Sequence, residues 1–303
     1  MHILDALRLF EVARNAEGIK PRTVAGYVQQ IGLFAETLAP DQRDLRAIRP
    51  SDITLFLNAE RARGLSPATI RARDRALDIF FNWCEMAPEV ASPSPMRNER
   101  GRRVLRSPRV PKKDPRRATE EQIATLLSLI PKGNWIDLRD RCLVRLLTDT
   151  GVRAGECVAA QVSDIDFTKS LLRVRSGKGD KFRLVPFSEL SVKELRAYMM
   201  FRPYSRIDGE YFFLGASNEH GSPAGRLTVS GLQQMLKRRC RRAGIAYINP
   251  HSIRHLFGLT ALNRGMRIEV VSKIMGHATV DFTIKFYAPL LTETLQREYN
   301  AHW

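Results

Sequence analysis

Nineteen residues about a third of the way along the chain decide how it can be organised. From Arg97 to Pro115 there are 8 basic and 2 acidic residues, net +6, with Pro108, Pro111 and Pro115 among them and almost no apolar periodicity. Proline removes a backbone donor and keeps the residue before it extended, so a helix or central strand does not run through such a stretch. It reads as an extended basic linker joining two domains, residues 1–96 and residues 116–303. A solvated connector is the plain reading of a charge run. Eight cations in nineteen residues favour contact with a nucleic-acid backbone, with Arg102, Arg103, Lys112 and Lys113 as candidates.

The whole chain of 303 residues carries a formal charge of +17, unevenly spread. Residues 1–96 hold 12 basic and 12 acidic residues, whereas residues 116–303 hold 29 and 18, net +11. A polyanionic partner such as DNA or RNA follows from that excess, although charge alone says nothing of chemistry. No run approaches the roughly 18 apolar residues of a membrane helix. Met1 to Lys20 has no apolar signal core and mixes Asp5, Arg8 and Glu11. Secretion and membrane spanning are therefore not expected. The cysteines, Cys84, Cys142, Cys157 and Cys240, are scattered without a C-x-x-C pair and read as reduced core thiols of a cytoplasmic protein.

Helical periodicity recurs over 3–14, 22–38 and 50–63. A fourth helix is expected from about Ser66, an N-cap with Pro67 at the first helical position, to Cys84. Its apolar face uses Ile70, Leu77, Phe80 and Phe81, and it carries Arg71, Arg73 and Arg75, candidates for DNA contact. The first domain is thus a small helical bundle with one basic side. The second is mixed. Helices are expected at 119–130, 138–148, 153–160, 189–201, 228–243, 251–264 and 268–275. Between them Leu171–Ser176 and Phe182–Pro186 flank a Gly177-Lys178-Gly179-Asp180 turn, a hairpin signal. There is no internal repeat and no low-complexity tract.

Four segments of the second domain stand out together. They are Thr150-Gly-Val-Arg-Ala-Gly-Glu156, Gly177-Lys-Gly-Asp-Lys-Phe-Arg-Leu-Val-Pro186, Pro250-His-Ser-Ile-Arg-His255, and Met275-Gly-His-Ala-Thr279 followed by Tyr287-Ala-Pro289. Their order and spacing resemble the tyrosine recombinase, or phage integrase, family. The first domain adds Thr23, Tyr27 and Phe34 and a Ser66-x-x-Thr69-Ile70 pattern, so the resemblance covers nearly the whole chain. It implies a mainly α fold with a small β-sheet: a helical, SAM-like core-binding domain followed by an α+β catalytic domain, in a two-domain, Xer-like architecture with no arm-binding domain ahead of it.

The resemblance also implies roles, and the chemistry explains the residue types. A phosphodiester must be attacked at phosphorus, its growing charge stabilised and a poor alkoxide leaving group protonated. Arg153 and Arg254 match the family's two catalytic arginines, whose rigid forks stay charged at neutral pH. Lys178 matches the general acid that protonates the leaving hydroxyl. An exposed turn lysine is the plain alternative; a nucleotide-binding loop fits less well, since the G-x-x-x-x-G-K-[ST] spacing is missing and Asp180 repels phosphate. His251 and Arg254, three apart on a helix, can point into one cleft. By resemblance His251 assists proton movement at the nucleophile and His277 hydrogen-bonds the scissile phosphate. His255 reads as a packing or supporting residue, and Glu156 as the group that orients Arg153. Asp180 and Arg183 are left as hairpin residues.

The nucleophile by resemblance is Tyr287, ten residues after His277 and one more than the usual family spacing, which would fall on Phe286. Tyr299 is the other tyrosine in reach. A phenol with a pKa of about 10 needs neighbouring cations and a proton acceptor to attack. The product would be a 3′-phosphotyrosyl end and a free 5′ hydroxyl, so rejoining needs no ATP. No cofactor is implied. A metal site from His251, His255 and His277 lacks accompanying carboxylates and the chemistry does not call for one.

The expected function is site-specific recombination of double-stranded DNA: integration, excision or resolution through a Holliday junction by a homotetramer, of a bacterial, phage or mobile-element kind. The helical and catalytic domains would close on opposite sides of the duplex. An amphipathic tail, Leu290, Leu291, Leu295 and Tyr299, would cover its own core or link neighbouring protomers. Two alternatives stay open: a monomeric type IB topoisomerase that relaxes supercoils, and a non-catalytic DNA-binding relative.

Overall fold

A computed structural model of the chain describes residues 1–98, 100–105, 107–109, 118–175, 182–203, 210–217, 222–277, 279–287 and 299–300, leaving aside the side chains of residues 282, 285 and 286. Lys112, Lys113, Lys178 and the tail residues Leu290, Leu291 and Leu295 lie outside the described residues. The chain forms two compact units, Met1–Asp114 and Pro115–Trp303.

The first unit is built from four helices: α1 (Ile3–Ala16), α2 (Pro21–Thr37), α3 (Pro50–Ala62) and α4 (Pro67–Met86). Three of them begin on proline, where the missing N–H is one the helix start leaves unpaired anyway. Ser66 caps α4 by accepting from Thr69 N–H at 3.2 Å. The core is aromatic. Phe10, Phe34, Phe80 and Phe81 are at most 1% exposed and Phe56 only 3%. The rings meet edge-to-face, with Phe80 and Phe81 centroids 5.2 Å apart and Phe34 and Phe56 5.4 Å apart.

The segment after α4 departs from an extended linker. Met96 is fully buried in the helical core, Val104 N–H donates to Met96 O at 2.9 Å, and Arg97 and Arg103 pair as an isolated antiparallel bridge. The reason is charge compensation. α4 presents Asp74 and Asp78, which draw Arg103 and Arg97 down onto it, the latter at 3.7 Å. Ser107 Oγ adds a 2.9 Å bond to Asp74.

The second unit runs α5 (Glu120–Leu129), α6 (Trp135–Thr150), α7 (Ala154–Val158), β1 (Ile165–Asp166), β2 (Leu171–Arg175), β3 (Phe182–Pro186), α8 (Glu189–Phe201), β4 (Leu214–Ala216), β5 (Pro223–Arg226), α9 (Val229–Arg242), α10 (Pro250–Asn263), α11 (Ile268–Met275) and α12 (Val280–Tyr287). β1, β2 and β3 form an antiparallel sheet in that order, with Val174 opposite Arg183 and Leu172 opposite Val185. β4 and β5 form a second, two-stranded sheet. The central element is α6, which packs on α5, α8 and α10 and buries Leu143, Val144, Leu146 and Leu147.

The buried charges of Asp137, Arg139 and Asp140 on α6 are paired. On α6 the fully buried Asp140 accepts from Arg139 at 2.7 Å and from Arg239 of α9 at 2.8 Å, and Asp137 also accepts from Arg239. Removing one member would leave an uncompensated buried charge. All four cysteines are buried and reduced, and burial pushes the Cys157 thiol up to about 12.

Candidate active site

Two helix ends built on glycine organise the site. α6 stops at Gly151, in the left-handed conformation with φ +60°, where a Cβ would lie 2.3 Å from Phe257 of α10. α11 stops at Gly276, φ +67°, where a Cβ would lie 2.7 Å from the Arg183 guanidinium carbon. A side chain at either glycine would push apart elements that must touch.

The end of α11 then serves as a socket for arginines. Its consecutive carbonyls at Ile274, Met275 and Gly276 accept from Arg183 Nε at 2.9 Å, Arg254 Nη2 at 2.7 Å and Arg153 Nη2 at 3.0 Å. The three guanidiniums come from β3, α10 and the start of α7. A helix C-terminus leaves its last carbonyls unpaired and carries partial negative charge, so cations settle there. Arg254 also donates to Gly151 O at 2.6 Å, and so ties together the C-termini of α6 and α11. It is only 4% exposed, and burial followed by the charge of Arg153 pulls its guanidinium down to about 10.

Arg153 caps the short helix α7. Its backbone N–H donates to Glu156 Oε2 at 2.8 Å and its Nη1 to Glu156 Oε1 at 2.9 Å, and half of its side chain stays exposed. Glu156 also receives Arg183, Nη1 to Oε1 at 3.0 Å and Nη2 to Oε2 at 2.8 Å. Burial works against its charge, but the bonds and charges of Arg183 and Arg153 outweigh it and hold the carboxyl below its ordinary range.

The histidines belong to the same electrostatic neighbourhood. Asn249 caps α10 through Ser252 N–H at 2.9 Å, with Pro250 opening the helix, so His251 and Arg254 rise from its first turn. Burial and then the charges of Arg254 and Arg153 lower the pKa of His251. The same causes, with Arg183 added, push His277 down to about 4, so its ring is neutral at pH 7. Its Nδ1 lies 2.7 Å from the hydroxyl of the fully buried Thr283 on α12.

Tyr287 ends α12 in a small apolar cluster with Ala261, Leu262, Val271 and Met275, and is 1% exposed. Its hydroxyl is 3.5 Å from His255 Nδ1 and 3.8 Å from Met275 Sδ. A Cβ on Gly258 would stand 2.2 Å from that oxygen, so the phenol lies directly on the α10 backbone. Burial pushes its pKa up to about 12, against the pull of Arg254. His255 is therefore the histidine set against the phenol, while its ring also stacks edge-on with His251 at 4.1 Å.

The structure brings Arg153, Glu156, His251, Arg254, His277 and Tyr287 into one neighbourhood, and adds Arg183 and Thr283. Arg183 runs against the strand's apolar pattern and was not readable from sequence. It alternates with the exposed Phe182 and Leu184 and shares the inward side with Val185, opposite the buried Val174. Of the arginines expected to face DNA, Arg71, Arg75 and Arg102 are exposed. Arg73 corrects the expectation: it is 8% exposed, ion-paired with the buried Glu60 of α3 and 5.7 Å from the Phe56 ring centre. Arg103 is likewise held by Asp74. Charge alternation along α4 could not reveal this, because Glu60 sits on another helix.

A groove of about 800 Å³ lies elsewhere, between α6, β4, β5 and α9, and includes Arg226, Arg238 and Arg242. Among the described residues no group of three His, Cys, Asp or Glu is placed to hold a metal ion, and no helix is long and apolar enough to cross a membrane.

Comparison with known proteins agrees in both units. Residues 116–293 match the model of the phage integrase family and residues 8–86 that of the phage integrase N-terminal SAM-like domain. Tyrosine recombinase XerA of Pyrococcus furiosus is 31% identical over 280 residues, 92% of this chain and 87% of its own. Tyrosine recombinase XerD of Ralstonia nicotianae is 27% identical over 94% of this chain and 89% of its own. Among solved structures, a XerA recombinase matches at 27% identity with a TM-score of 0.53, covering 99% of this chain and 98% of the other. The Tn1549 transposon integrase bound to circular intermediate DNA shares the fold, with a TM-score of 0.74 at 18% identity over 100% of both chains.

Proposed function

The chain belongs to the phage integrase family of tyrosine recombinases, enzymes that cleave and rejoin DNA, and we propose that Arg153, Lys178, His251, Arg254, His277 and Tyr287 carry its site-specific recombination. The observation that carries this reading is the anchoring of Arg153 and Arg254 on adjacent carbonyls beside His277, with Tyr287 packed on the same helix as Arg254. Two fixed guanidiniums grip the nonbridging oxygens of the scissile phosphate. In a site prepared in advance, they stabilise charge as it develops at phosphorus. Each guanidinium has five donors, and the bonds to Gly151 and Met275 use two of those on Arg254.

Tyr287 is protonated at neutral pH with its pKa near 12, so attack requires its proton to leave as the oxygen meets phosphorus. His251, whose pKa is lowered by burial and then by the charges of Arg254 and Arg153, is suited to accept a proton, and His255 stands next to the phenol as its partner in the unbound chain. His277, neutral and steadied by Thr283, donates to the phosphate. Lys178 protonates the leaving 5′ oxygen. The Tyr287–phosphorus bond forms as the bond from phosphorus to that oxygen breaks, and the reverse step with a different 5′ hydroxyl joins a new strand.

Exposed Arg71, Arg75 and Arg102 hold the DNA backbone without reading its sequence. Strand exchange between two sites proceeds on a homotetramer, through a Holliday junction, in an element of bacterial, phage or mobile-element type; the family resemblance supports this part. The test is a set of nicked duplexes tiled from genomic DNA that flanks the gene. The wild-type chain is expected to trap an SDS-stable covalent adduct on one of them and Tyr287→Phe none. A wild type without any adduct, or a Tyr287→Phe chain that still forms one, refutes the reading.

A further inference from the structure

Arg183 lies at the centre of the cluster without a role in the chemistry above. Both contacts that hold the half-exposed Arg153 are to groups Arg183 also holds. Glu156 Oε1 accepts from Arg153 at 2.9 Å and from Arg183 at 3.0 Å. Gly276, whose carbonyl takes Arg153 at 3.0 Å, has the Arg183 guanidinium packed against its Cα, in the space where a Cβ would stand. Arg183 then secures the preceding turn by donating to Ile274 O.

We propose that Arg183 is a positioning residue for Arg153, acting by neutralising Glu156 and by fixing the end of α11; this rests on the recombinase reading of the site. The reasoning is electrostatic and geometric together. Three arginines and one glutamate leave the cluster with two net positive charges. With Arg183 present, Glu156 is compensated by a bidentate partner, and the charge of Arg153 remains available to the phosphate. Without it, Glu156 draws on Arg153 alone, which turns that guanidinium toward the carboxylate and halves the net charge facing DNA. The carbonyl of Gly276 also loses the group that holds its turn in place.

The experiment compares adduct formation on the trapped duplex with the same duplex carrying a methylphosphonate at the scissile position, which lacks one charged oxygen. Arg183→Ala is expected to bind the ordinary duplex within about twofold of wild type and to form adduct roughly 10–100-fold more slowly, the range seen when a supporting partner is removed. On the methylphosphonate, where less charge has to be neutralised, the deficit is expected to shrink to a few-fold. A residue that merely packs the hairpin would give the same deficit on both substrates. Circular dichroism and melting report folding. If alanine unfolds the chain, Arg183→Gln keeps bulk and a donor toward Ile274 O while removing the charge, and should show the same substrate dependence. A wild-type rate in the folded variant, or an equal deficit on both substrates, overturns the proposal. A wild type that forms no adduct overturns instead the recombinase reading beneath it.

Discussion

Arg73 and its neighbours on α4 allow stability and DNA binding to be separated. The Arg73 side chain is 10% exposed and pairs with Glu60, 5% exposed, with its guanidinium over Phe56. Breaking a buried ion pair by deleting one partner costs about 3–5 kcal/mol, because the other charge is left behind. Glu60 keeps a second partner, Arg63, at 2.8 Å, but the Arg63 side chain is 69% exposed, so the low end of that range applies, about 3 kcal/mol. For a unit of this size 1 kcal/mol corresponds to about 4–8 °C, so Arg73→Ala should lower the melting of the first unit by roughly 12–24 °C. Replacing both partners, Arg73→Met with Glu60→Leu, should recover most of the loss. Arg71→Ala with Arg75→Ala touches exposed positions and should leave melting within about 0.5 kcal/mol of wild type. That pair should instead weaken DNA binding and reduce the slope of log affinity against log salt by about 2, near 0.9 for each phosphate no longer neutralised. Calorimetry and salt-dependent binding on the full chain measure both. If Arg73→Ala melts like wild type and weakens binding as Arg71→Ala does, the inward placement of Arg73 is refuted.

The pH dependence has a definite sign. His277 takes up a proton at about 4 in the folded chain but near 6.5 when unfolded, so stability should fall as pH drops from about 6.5 toward 4, and stay flat with respect to this group above 6.5. Thermal melts across that window should lose part of their slope in His277→Gln; an unchanged slope counts against a depressed histidine. Gly276→Ala should destabilise by about 1–2 kcal/mol for its left-handed backbone, and should slow adduct formation because the new Cβ displaces the Arg183 guanidinium. Melting and trapping assays that match wild type would contradict this. Gly258→Ala should favour helix α10 by about 1 kcal/mol yet drive the phenol from its seat, where the Cβ would stand 2.2 Å from the oxygen. Difference titration against Tyr287→Phe should then show the phenol moving from about 12 back toward 10, and a titration still near 12 would argue against that packing.

What was legible in the sequence was local. Helix starts carried proline and a polar cap, as at Ser66 and Asn249, and the glycine-bracketed turn announced the β2–β3 hairpin. The grouping of Arg153, Arg254 and the histidines followed from family motifs, whose spacing already encodes the fold. What stayed hidden depends on partners distant in the chain. Arg73 looked like its neighbours Arg71 and Arg75 until Glu60 on α3 was seen to claim it. The charge of residues 97–115 suggested an extended linker, yet Asp74 and Asp78 on α4 fold its start down. Arg183 is one position in an ordinary strand; only the packing of β3 against α7 and α11 gives it Glu156 and Ile274.

The placement of glycine next to each key group has one physical reason. Thr150-Gly151-Val152-Arg153 and Met275-Gly276-His277 both end a helix in the left-handed conformation, then turn the chain so that the next polar side chain faces the arginine cluster. The carbonyls left unpaired at those ends hold Arg254 and Arg153 in place before any phosphate arrives. Glu156 offsets Arg183, and two net positive charges remain. A phosphodiester carries one negative charge in the ground state, and two once an ionised phenol has added to phosphorus. In the proposed mechanism the cluster is thus matched to the state being crossed and not to the one being bound, which is the condition for charge to accelerate a reaction instead of merely tightening binding. Tyr287 fits the same logic in the proposed mechanism: near 12 and tucked against Met275 and His255, it would remain a phenol until a phosphate and its surrounding cations make ionisation favourable.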